Sequence, residues 1–548
     1  MTPDTPRFSR RNLLSGLAAV NLMGAGLTVP ARAAPAPSPA SNDNTTPDQR
    51  DQAWQKAVAK FTPERKRWLS EVEKGGRTGP FRPDWGSLQG FTCPQWYADA
   101  KFGIFIHWGV YSIPAFGGEW YSRNMYKRDN PAYEHHIKTY GPQTKFGYKD
   151  FIPMLKAEAF DAGDWAKLFS AAGARYVVPV AEHHDGFSMF DSKLSDYTAV
   201  KMGPKRDVLA EISKAVRAEG LHFALSSHRA ENNWFFDEGR KAPSDVSDPA
   251  NAGLYGPAQS RILGAGGDAD LFGDYTHVSD AWLDDWLARQ AELVEKYDPE
   301  LVYFDWWVGQ PAFREAMPKF LAWYYNKGVR EGSSAIVNYK LGGFADHTGV
   351  LDIERGQAPG IRKDTWQTCT SISDKSWGYI ENDTFKSPAQ LVHLLADVVS
   401  KNGNLLLNVG PHPSGRIPDG ARDTLMQIGA WLKVNGDAIY GARPWVTFGE
   451  GPTETASGSF AESKARSYTA QDFRFTVKDG VLHAIQMAWP DEGSATITSI
   501  RSDYPVKRVS LLGTDAPVAF RQDASGLVIT PPANAPRQLA YVYRIETR

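Results

Sequence analysis

Short apolar runs alternate with amphipathic helical segments from about residue 102 to residue 435, and this alternation limits the fold more than any other feature of the sequence. Each run is continuously apolar, as expected of a strand that is buried on both faces of a parallel sheet. The predicted strands are residues 103–106, 176–180, 221–225, 301–304, 335–337 and 404–407, and the predicted helices are residues 207–219, 280–297, 387–401 and 421–434. This pattern predicts an α/β fold, either a closed (β/α)-barrel or an open doubly wound sheet.

A residue suited to chemistry follows each of the six predicted strands, and this favours the barrel. These residues are His107, the Glu182-His183-His184-Asp185 group, His228, Asp305, Asn338 and Asn408. A barrel brings the carboxyl ends of all its strands to one mouth, whereas an open sheet spreads them along a crevice. The sequence therefore predicts a (β/α)8-like barrel over residues 51–448, preceded by a helical lead-in, with its site at that mouth.

The pattern changes after about residue 449, where short runs with turn residues between them show no helical period. The predicted strands there are residues 473–478, 481–488, 494–500, 506–512, 518–522, 526–530 and 539–545. Many short strands without helices are typical of an antiparallel β-sandwich. Residues 449–548 are therefore predicted to form a separate C-terminal β-sandwich domain.

The first 33 residues are typical of an export signal. Arg10 and Arg11 precede an apolar run from Leu13 to Val29, and small residues follow it at 31–33, the order found in bacterial twin-arginine signals. A membrane anchor is the alternative, but three glycines and Asn21 interrupt the run. Residues 34–50 are rich in Ala, Pro, Ser and Asn and are predicted to be a disordered spacer. We expect a periplasmic or secreted bacterial protein with no membrane attachment after signal removal.

Composition excludes several other functional classes. Lys and Arg number 61 against 63 Asp and Glu, so the net charge of −2 gives no indication of a nucleic-acid partner. Two cysteines so far apart in sequence, Cys93 and Cys369, exclude a disulfide scaffold and a cysteine-ligated zinc site. His183, His184 and Asp185 are a conceivable metal site, but adjacent residues at a strand end point in different directions. We therefore expect no metal and no cofactor.

Two carboxylates, Asp305 and Glu354, end different apolar runs among histidines and tryptophans. Each has an ordinary alternative role: Asp305 could cap the following loop, and Glu354 could form a surface salt bridge with Arg355. Taken together, however, two carboxylates with neutral hydrogen-bonding groups and aromatic rings are what glycoside hydrolysis requires.

At these residues the sequence resembles the α-L-fucosidases of glycoside hydrolase family 29. The resemblance runs from about residue 91 to residue 445. It is carried by Trp96–Ala115, Glu119-Trp120-Tyr121, His183–Phe187, Gly203–Asp207, Trp366–Ser371, Ser376–Tyr379 and Asn402–Pro411.

The resemblance implies an exo-acting retaining glycosidase with a barrel and a C-terminal β-sandwich, acting on fucosylated oligosaccharides or glycoconjugates. It implies that Asp305 is the nucleophile and that Arg355 lies near it. The residues implied to hold the fucose hydroxyls are His107, Glu119, Trp120, His183 and His184. The methyl group of fucose needs an apolar pocket, for which Trp307 and Trp377 are the candidates.

Three departures from the family pattern affect the site. Gln367 stands where the family often has an acid/base glutamate, so we assign that role to Glu354, with Asp352 and Glu381 as alternatives. His228 ends a Ser-Ser-His segment where the family has Tyr-Tyr-Ser, and Tyr303 replaces a frequent tryptophan. The alternative functions are hydrolysis of a related L-sugar such as an α-L-galactoside, a catalytically impaired fucose-binding protein, and a metal-dependent barrel hydrolase.

Overall fold

The computed structural model describes residues 43–264, 275–340, 342–464, 466–490 and 493–547. The predicted export signal at residues 1–33 and the spacer as far as residue 42 lie outside the described residues. The spacer prediction is wrong at its end, because a helix begins at Pro47. Thr46 caps this helix: its side chain accepts the Gln49 backbone N–H at 3.2 Å, and the Gln49 side chain accepts the Thr46 N–H at 2.8 Å.

Eight parallel strands form a closed barrel, in which the first strand pairs with the last. The strands are β1 Phe102–Ile106, β2 Tyr176–Glu182, β3 His222–Ser227, β4 Leu301–Phe304, β5 Ile336–Lys340, β6 Val350–Asp352, β7 Trp366–Ser371 and β8 Gly403–Val409. Gly103 faces the ring of Tyr176 inside the barrel, where a Cβ would lie 2.4 Å from that ring. The barrel interior is therefore filled by side chains, and the predicted fold class is confirmed.

Helices surround the barrel, and all four predicted helices are present with ends shifted by at most two residues. The α-helices in the described residues are α1 Pro47–Ala57, α2 Thr62–Gly76, α3 Trp85–Leu88, α4 Gln95–Ala100, α5 Tyr121–Asn124, α6 Pro131–Tyr140, α7 Ala162–Ala171, α8 Val208–Ala218, α9 Ala252–Tyr255, α10 Asp280–Tyr297, α11 Ala316–Glu331, α12 Pro388–Ser400 and α13 Asp419–Asn435. Within the described ranges, no helix has both the length and the apolar character needed to cross a bilayer.

The C-terminal region forms two antiparallel sheets, as predicted. Its strands are β9 Arg443–Glu450, β10 Phe473–Lys478, β11 Val481–Gln486, β12 Ala495–Ile497, β13 Val506–Leu511, β14 Ala519–Asp523, β15 Gly526–Thr530 and β16 Tyr541–Thr547. The five-stranded sheet has the order β13-β16-β11-β10-β9, and the three-stranded sheet has the order β12-β15-β14. Strand β9 was not predicted, and the expected domain boundary at residues 448/449 falls inside it.

The five-stranded sheet has two buried faces, which explains how this domain attaches to the barrel. On β11, Leu482 and Ala484 belong to the core of the sandwich, whereas Ile485 belongs to the main core that surrounds the barrel. Val542 on β16 joins the same main core. Because side chains alternate between the faces of a strand, one face of the sheet packs on the smaller sheet and the other on the barrel helices.

Candidate active site

A cavity of about 660 Å³ opens at the carboxyl ends of the barrel strands. Nine of the eleven predicted site residues line it: His107, Glu119, Trp120, His183, His184, His228, Asp305, Glu354 and Trp377. These residues follow six of the eight strands, β1, β2, β3, β4, β6 and β7, at the face where barrel enzymes carry their sites.

Asp305 follows β4 and sits among positively polarised groups. Its Oδ2 accepts a hydrogen bond from Nδ1 of His228 at 3.2 Å and lies 3.6 Å from Nε2 of His184, and its Oδ1 is 4.0 Å from Nζ of Lys340. Burial opposes the charge of Asp305, but the His228 hydrogen bond and the Lys340 ammonium outweigh it and hold its pKa below the ordinary value. Asp305 is therefore ionised and suited to nucleophilic attack.

Glu354 lies two residues beyond β6 and shares Lys340 with Asp305. Nζ of Lys340 donates to Glu354 Oε2 at 2.9 Å, and the indole N–H of Trp306 donates to the same oxygen at 2.7 Å. The two carboxylates are thus both within 4.0 Å of one ammonium nitrogen at the edge of one cavity. Retaining glycosidases place two carboxyl groups about 5–5.5 Å apart, across a single anomeric carbon, and this arrangement is compatible with that spacing.

Lys340 is the last residue of β5, and Asp352 holds it in place. Its ammonium donates to Oδ2 of the fully buried Asp352 at 2.8 Å. Burial disfavours the lysine charge, but Asp352 and Glu354 raise the pKa of Lys340 well above its ordinary value. The site therefore contains a fixed cation between its two carboxylates.

Four imidazoles form the floor of the cavity and are buried: His107, His183, His184 and His228. Burial lowers the pKa of His107 and of His183 well below the ordinary value and lowers that of His184 to about 3. Neutral imidazoles can both donate to and accept from sugar hydroxyls without adding a fixed charge. His107, His183 and His184 are thus chemically matched to a polyhydroxylated ligand.

Asn408 at the end of β8 orients two cavity residues. Its Oδ1 lies 2.7 Å from Nδ1 of His107, and its Nδ2 donates to the carbonyl of Trp377 at 2.7 Å. Trp377 in turn lies beside the His107 ring, with centroids 5.2 Å apart. Asn408 therefore acts by positioning His107 and Trp377.

Two further carboxyl groups line the cavity. Oε2 of Glu119 accepts the backbone N–H groups of Trp377 and Gly378 at 3.1 and 3.2 Å. Burial raises the pKa of Glu119, and burial together with the charge of Asp305 raises that of Glu231 well above its ordinary value. Oε2 of Glu231 lies 3.6 Å from Nδ1 of His184, so this carboxyl group adds a further polar group to the histidine cluster.

Comparisons with known proteins decide the family. The family model described as "Alpha-L-fucosidase" matches residues 69–437, and the one described as "Alpha-L-fucosidase C-terminal domain" matches residues 467–546. The chain belongs to the alpha-L-fucosidase family. The resemblance seen in the sequence motifs is thereby confirmed, and the protein is a glycoside hydrolase, an α-L-fucosidase.

Full-length relatives agree with this assignment. An alpha-L-fucosidase of Branchiostoma floridae is 32% identical, with 85% of this chain and 96% of the relative covered. The tissue alpha-L-fucosidase of Rattus norvegicus is 30% identical over 87% of this chain and 95% of its own length. The crystal structure of Thermotoga maritima alpha-fucosidase in complex with fucose covers 85% of this chain and 100% of that chain, with 30% identity and a TM-score of 0.67.

Two predicted site residues of this family member lie outside the cavity lining. Trp307 is buried in the core, with its ring 5.1 Å from that of Trp234. Arg355 lies behind Trp377, with its guanidinium 4.7 Å from that ring and 3.6 Å from Glu462. Trp306 lines the cavity where Trp307 was expected to, and Lys340 is the cation beside Asp305 where Arg355 was expected.

The alternative acids are also poorly placed. Asp352 is fully buried, and its carboxylate already accepts hydrogen bonds from Lys340 and from the Gln367 amide at 2.8 Å each. Glu381 is exposed and lies outside the cavity lining. Of the three candidates, only Glu354 reaches the cavity.

Of the three residues considered as a metal site in the sequence, His183, His184 and Asp185, the last does not reach the cavity. Asp185 is buried away from the cavity, where its carboxylate accepts the Tyr148 hydroxyl at 2.6 Å and burial raises its pKa to about 7. Nitrogens of His107, His183 and His228 do lie within 4.8 Å of one another, a spacing that suits a metal ion. However, the His107 and His228 Nδ1 atoms are engaged by Asn408 and Asp305. The expectation of a metal-free site therefore stays a prediction.

Several residues in or beside the cavity were missed in the sequence. Lys340 was missed because β5 runs three residues beyond the predicted strand end at 337; a longer strand would have pointed to it. Glu231 lies on a 3₁₀ turn, Arg229–Asn233, directly after β3, and a charged residue so close to a strand end is a usable signal. Phe460 comes from the C-terminal domain, and nothing in its local sequence indicates a place at the barrel mouth.

Proposed function

We propose that the protein is an exo-acting retaining α-L-fucosidase in which Asp305 is the nucleophile and Glu354 the acid/base. The observation that carries this proposal is the pair of carboxylates beside Lys340, with nitrogen–oxygen distances of 4.0 Å to Asp305 and 2.9 Å to Glu354. The substrate class is a glycan or glycoconjugate that ends in α-L-fucose.

In the first step, the ionised Asp305 attacks the anomeric carbon and forms a glycosyl ester, while the bond to the glycosidic oxygen breaks. Glu354 donates its proton to that oxygen, so the aglycone leaves as a neutral alcohol. The Trp306 indole N–H and the Lys340 ammonium both donate to Oε2 of Glu354 and hold its carboxyl group beside the cavity. In the second step, Glu354 removes a proton from water, which attacks the ester and regenerates Asp305.

The remaining lining divides into a polar and an apolar part. The four histidines and the carboxyl groups of Glu119 and Glu231 offer hydrogen bonds to the fucose hydroxyls. Phe105 and Trp377 lie 6.1 Å apart and offer an apolar wall for the methyl group. Burying that methyl contributes on the order of 1 kcal/mol, so we expect only modest discrimination against an α-L-galactoside, which adds a hydroxyl there.

Purified enzyme tested on a panel of aryl glycosides checks this function. We expect strong turnover of the α-L-fucoside, weaker turnover of the α-L-galactoside and none of D-sugar glycosides. Proton NMR during the first turnovers should show α-L-fucose before mutarotation. Initial release of β-L-fucose would contradict the retaining mechanism. Activity that survives chelator treatment would support catalysis without a metal, and loss restored by a divalent cation would contradict it.

We also propose that residues 1–33 direct export through the twin-arginine route to the periplasm. The Arg10-Arg11 pair and the apolar run behind it support this proposal. Replacing both arginines with lysine should leave an uncleaved, active enzyme in the cytoplasmic fraction of a bacterial host. Unchanged export of that variant would contradict the proposal.

A further inference from the structure

Residues 451–464, the first part of the connection between β9 and β10, leave the C-terminal domain and return to the barrel mouth. The backbone N–H of Phe460 donates to the carbonyl of Glu354 at 2.8 Å, and that of Glu462 donates to the carbonyl of Arg355 at 2.9 Å. The segment is thus hydrogen-bonded directly to the backbone of the proposed acid/base.

The side chain of Glu462 fixes the segment further. Its carboxylate accepts the hydroxyl of Thr370 on β7 at 2.9 Å and lies 3.5 Å from Nζ of Lys386 and 3.6 Å from Arg355. One hydrogen bond and two ion pairs therefore tie this carboxylate to the barrel. The position of Phe460, two residues earlier, is therefore defined by the barrel as well as by its own domain.

Phe460 presents its ring at the cavity although half of the side chain is exposed. Its exposed fraction is 51%, and its backbone has φ = +58°, a conformation that bulky side chains rarely adopt. The ring stacks on Trp306 with centroids 5.9 Å apart and planes 22° apart, and Trp306 donates to Glu354. An exposed aromatic ring held in a strained backbone beside the proton donor indicates a functional placement.

The space around Phe460 is large enough for more than one sugar. Phe460 lines both the catalytic cavity and a second cleft of about 830 Å³ between the barrel and the C-terminal domain. Polar and charged side chains border that cleft, among them Gln357, Lys386 and Gln390. A chain of sugars that leaves the catalytic cavity past Phe460 therefore enters a polar cleft.

We infer that Phe460 and Trp306 form the binding platform for the leaving-group sugar, which stacks its apolar ring face on them beside Glu354. The ligand class is a fucosylated oligosaccharide whose aglycone is a pyranose, and the inference rests on the proposed function. Aromatic faces bind the C–H face of a pyranose, and the leaving oxygen must lie next to the proton donor. The C-terminal domain thus contributes to substrate selection.

Two substrates separate aglycone binding from acid catalysis. Methyl α-L-fucoside and a fucosyl-α-1,2-galactose disaccharide both release a poorly acidic alcohol, so both need the proton of Glu354, but only the disaccharide has a ring to stack. For Phe460→Ala we expect the ratio of kcat/KM for the disaccharide to kcat/KM for the methyl fucoside to fall about five- to tenfold. Phe460→Tyr should keep the ratio, whereas Phe460→Leu should lower it.

Met426→Ala is the matched control, since Met426 is similarly exposed, at 48%, on the outer helix α13. Its ratio should equal that of the wild type. A ratio that stays unchanged in both Phe460→Ala and Phe460→Leu, including one that stays unchanged because kcat/KM falls equally for the two substrates, would overturn the inferred platform. Failure of the wild type to hydrolyse either substrate would instead contradict the proposed function. Circular dichroism and melting temperature establish that each variant is folded.

Discussion

Asp305 owes its ionised state to its neighbours, although it lies in a buried site. If it forms the covalent bond to the sugar, Asp305→Gly should lower kcat on an aryl α-L-fucoside at least about 1000-fold while the protein stays folded. Added azide should then restore turnover by attacking from the side that the carboxylate vacates, and the product should be β-L-fucosyl azide. Asp346→Ala, at an exposed position, is the control. Substantial turnover without azide would remove Asp305 from this role.

Removing the carboxyl group of Glu354 should slow hydrolysis more strongly when the leaving group is more basic. Glu354→Ala should lower kcat/KM for methyl α-L-fucoside about 100-fold or more, because an alkoxide cannot leave without a proton. It should affect α-L-fucosyl fluoride far less, since fluoride needs little protonation. Glu381→Ala, in which an exposed carboxylate is removed, should leave both rates near those of the wild type. A uniform loss across the leaving-group series would contradict the assignment of Glu354.

The charge of Lys340 should appear in the pH profile. Burial acts against ionisation of Asp305, and Lys340 is among the groups that lower its pKa, so removing the ammonium should raise that pKa. The test uses a double variant, Lys340→Met with Asp352→Asn, so that neither charge of the buried pair is left without its partner. In this variant the acidic limb of the kcat/KM profile should move to higher pH. Kinetics from about pH 3 to pH 7 measure the shift. Lys386→Met should leave the limb in place, and an unmoved limb in the double variant would refute the electrostatic role.

Sequence could predict which residue types gather at the mouth but not the direction of each side chain. Trp306 and Trp307 are adjacent, and the choice between them depends on the 3₁₀ turn at Trp306–Gly309, which turns Trp307 into the core. Arg355 was expected beside Asp305, yet its backbone takes φ = +44° and its side chain lies behind Trp377. Such turns are set by tertiary contacts and leave no periodic signal in the sequence.

At the scale of elements, the barrel strands differ in how well their sequences predict them. Six strands are apolar runs and were predicted, whereas β7, with the sequence Trp-Gln-Thr-Cys-Thr-Ser, is mostly polar although all of it is buried. Its Gln367 accepts the hydroxyls of Tyr97 and Tyr176 inside the barrel at 2.8 and 2.9 Å. Strands whose inward side chains form buried hydrogen bonds do not show the apolar run that reveals their neighbours.

A buried ion network joins α10 to the strand ends. Asp285 on α10 accepts hydrogen bonds from Arg65 and Arg229 at 2.8 Å each and from Arg289 at 2.9 Å. Asp285→Asn keeps the shape but removes a charge that three arginines share, while Glu182 stays paired with Arg229 and Arg289, so we expect a loss of about 3–5 kcal/mol in the free energy of unfolding at neutral pH. Urea unfolding measures it, with the exposed Asp423→Asn as control. A loss below about 1 kcal/mol would contradict the structural role of the network.

The same network should make the free energy of unfolding depend on pH in the acidic range. Burial opposes the charge of Asp285, but three arginines outweigh it and hold its pKa below the unfolded value of about 3.9. The stabilisation is therefore fully present above that value and is lost as the pH falls through the folded pKa. Below about pH 4, wild-type stability should therefore fall more steeply than that of Asp285→Asn. Parallel curves for the two proteins would contradict this assignment.

At the scale of the whole molecule, the barrel and the C-terminal sheets share a core and a buried ion pair. Arg474 on β10 pairs with Asp397 on α12, both buried, and the indole N–H of Trp431 on α13 donates to the carbonyl of Ala540 at 2.8 Å. The segment carrying Phe460 attaches the same domain to the catalytic mouth. The C-terminal domain is thus part of the structure that supports catalysis.

This shared core predicts cooperative unfolding. Scanning calorimetry should show a single transition with activity lost at the same temperature, because separating the C-terminal sheets would expose the face of the five-stranded sheet that Ile485 and Val542 now bury. Arg474→Met leaves Asp397 with Lys401, 2.7 Å away, as its remaining cation, so it should lower the midpoint without splitting the transition. Arg521→Met, in which an exposed side chain of the smaller sheet is replaced, should leave the midpoint unchanged. Two resolved transitions in the wild type, with activity surviving the first, would contradict this prediction, because the barrel would then work without its C-terminal domain. The same result would remove the structural support for Phe460 at the barrel mouth.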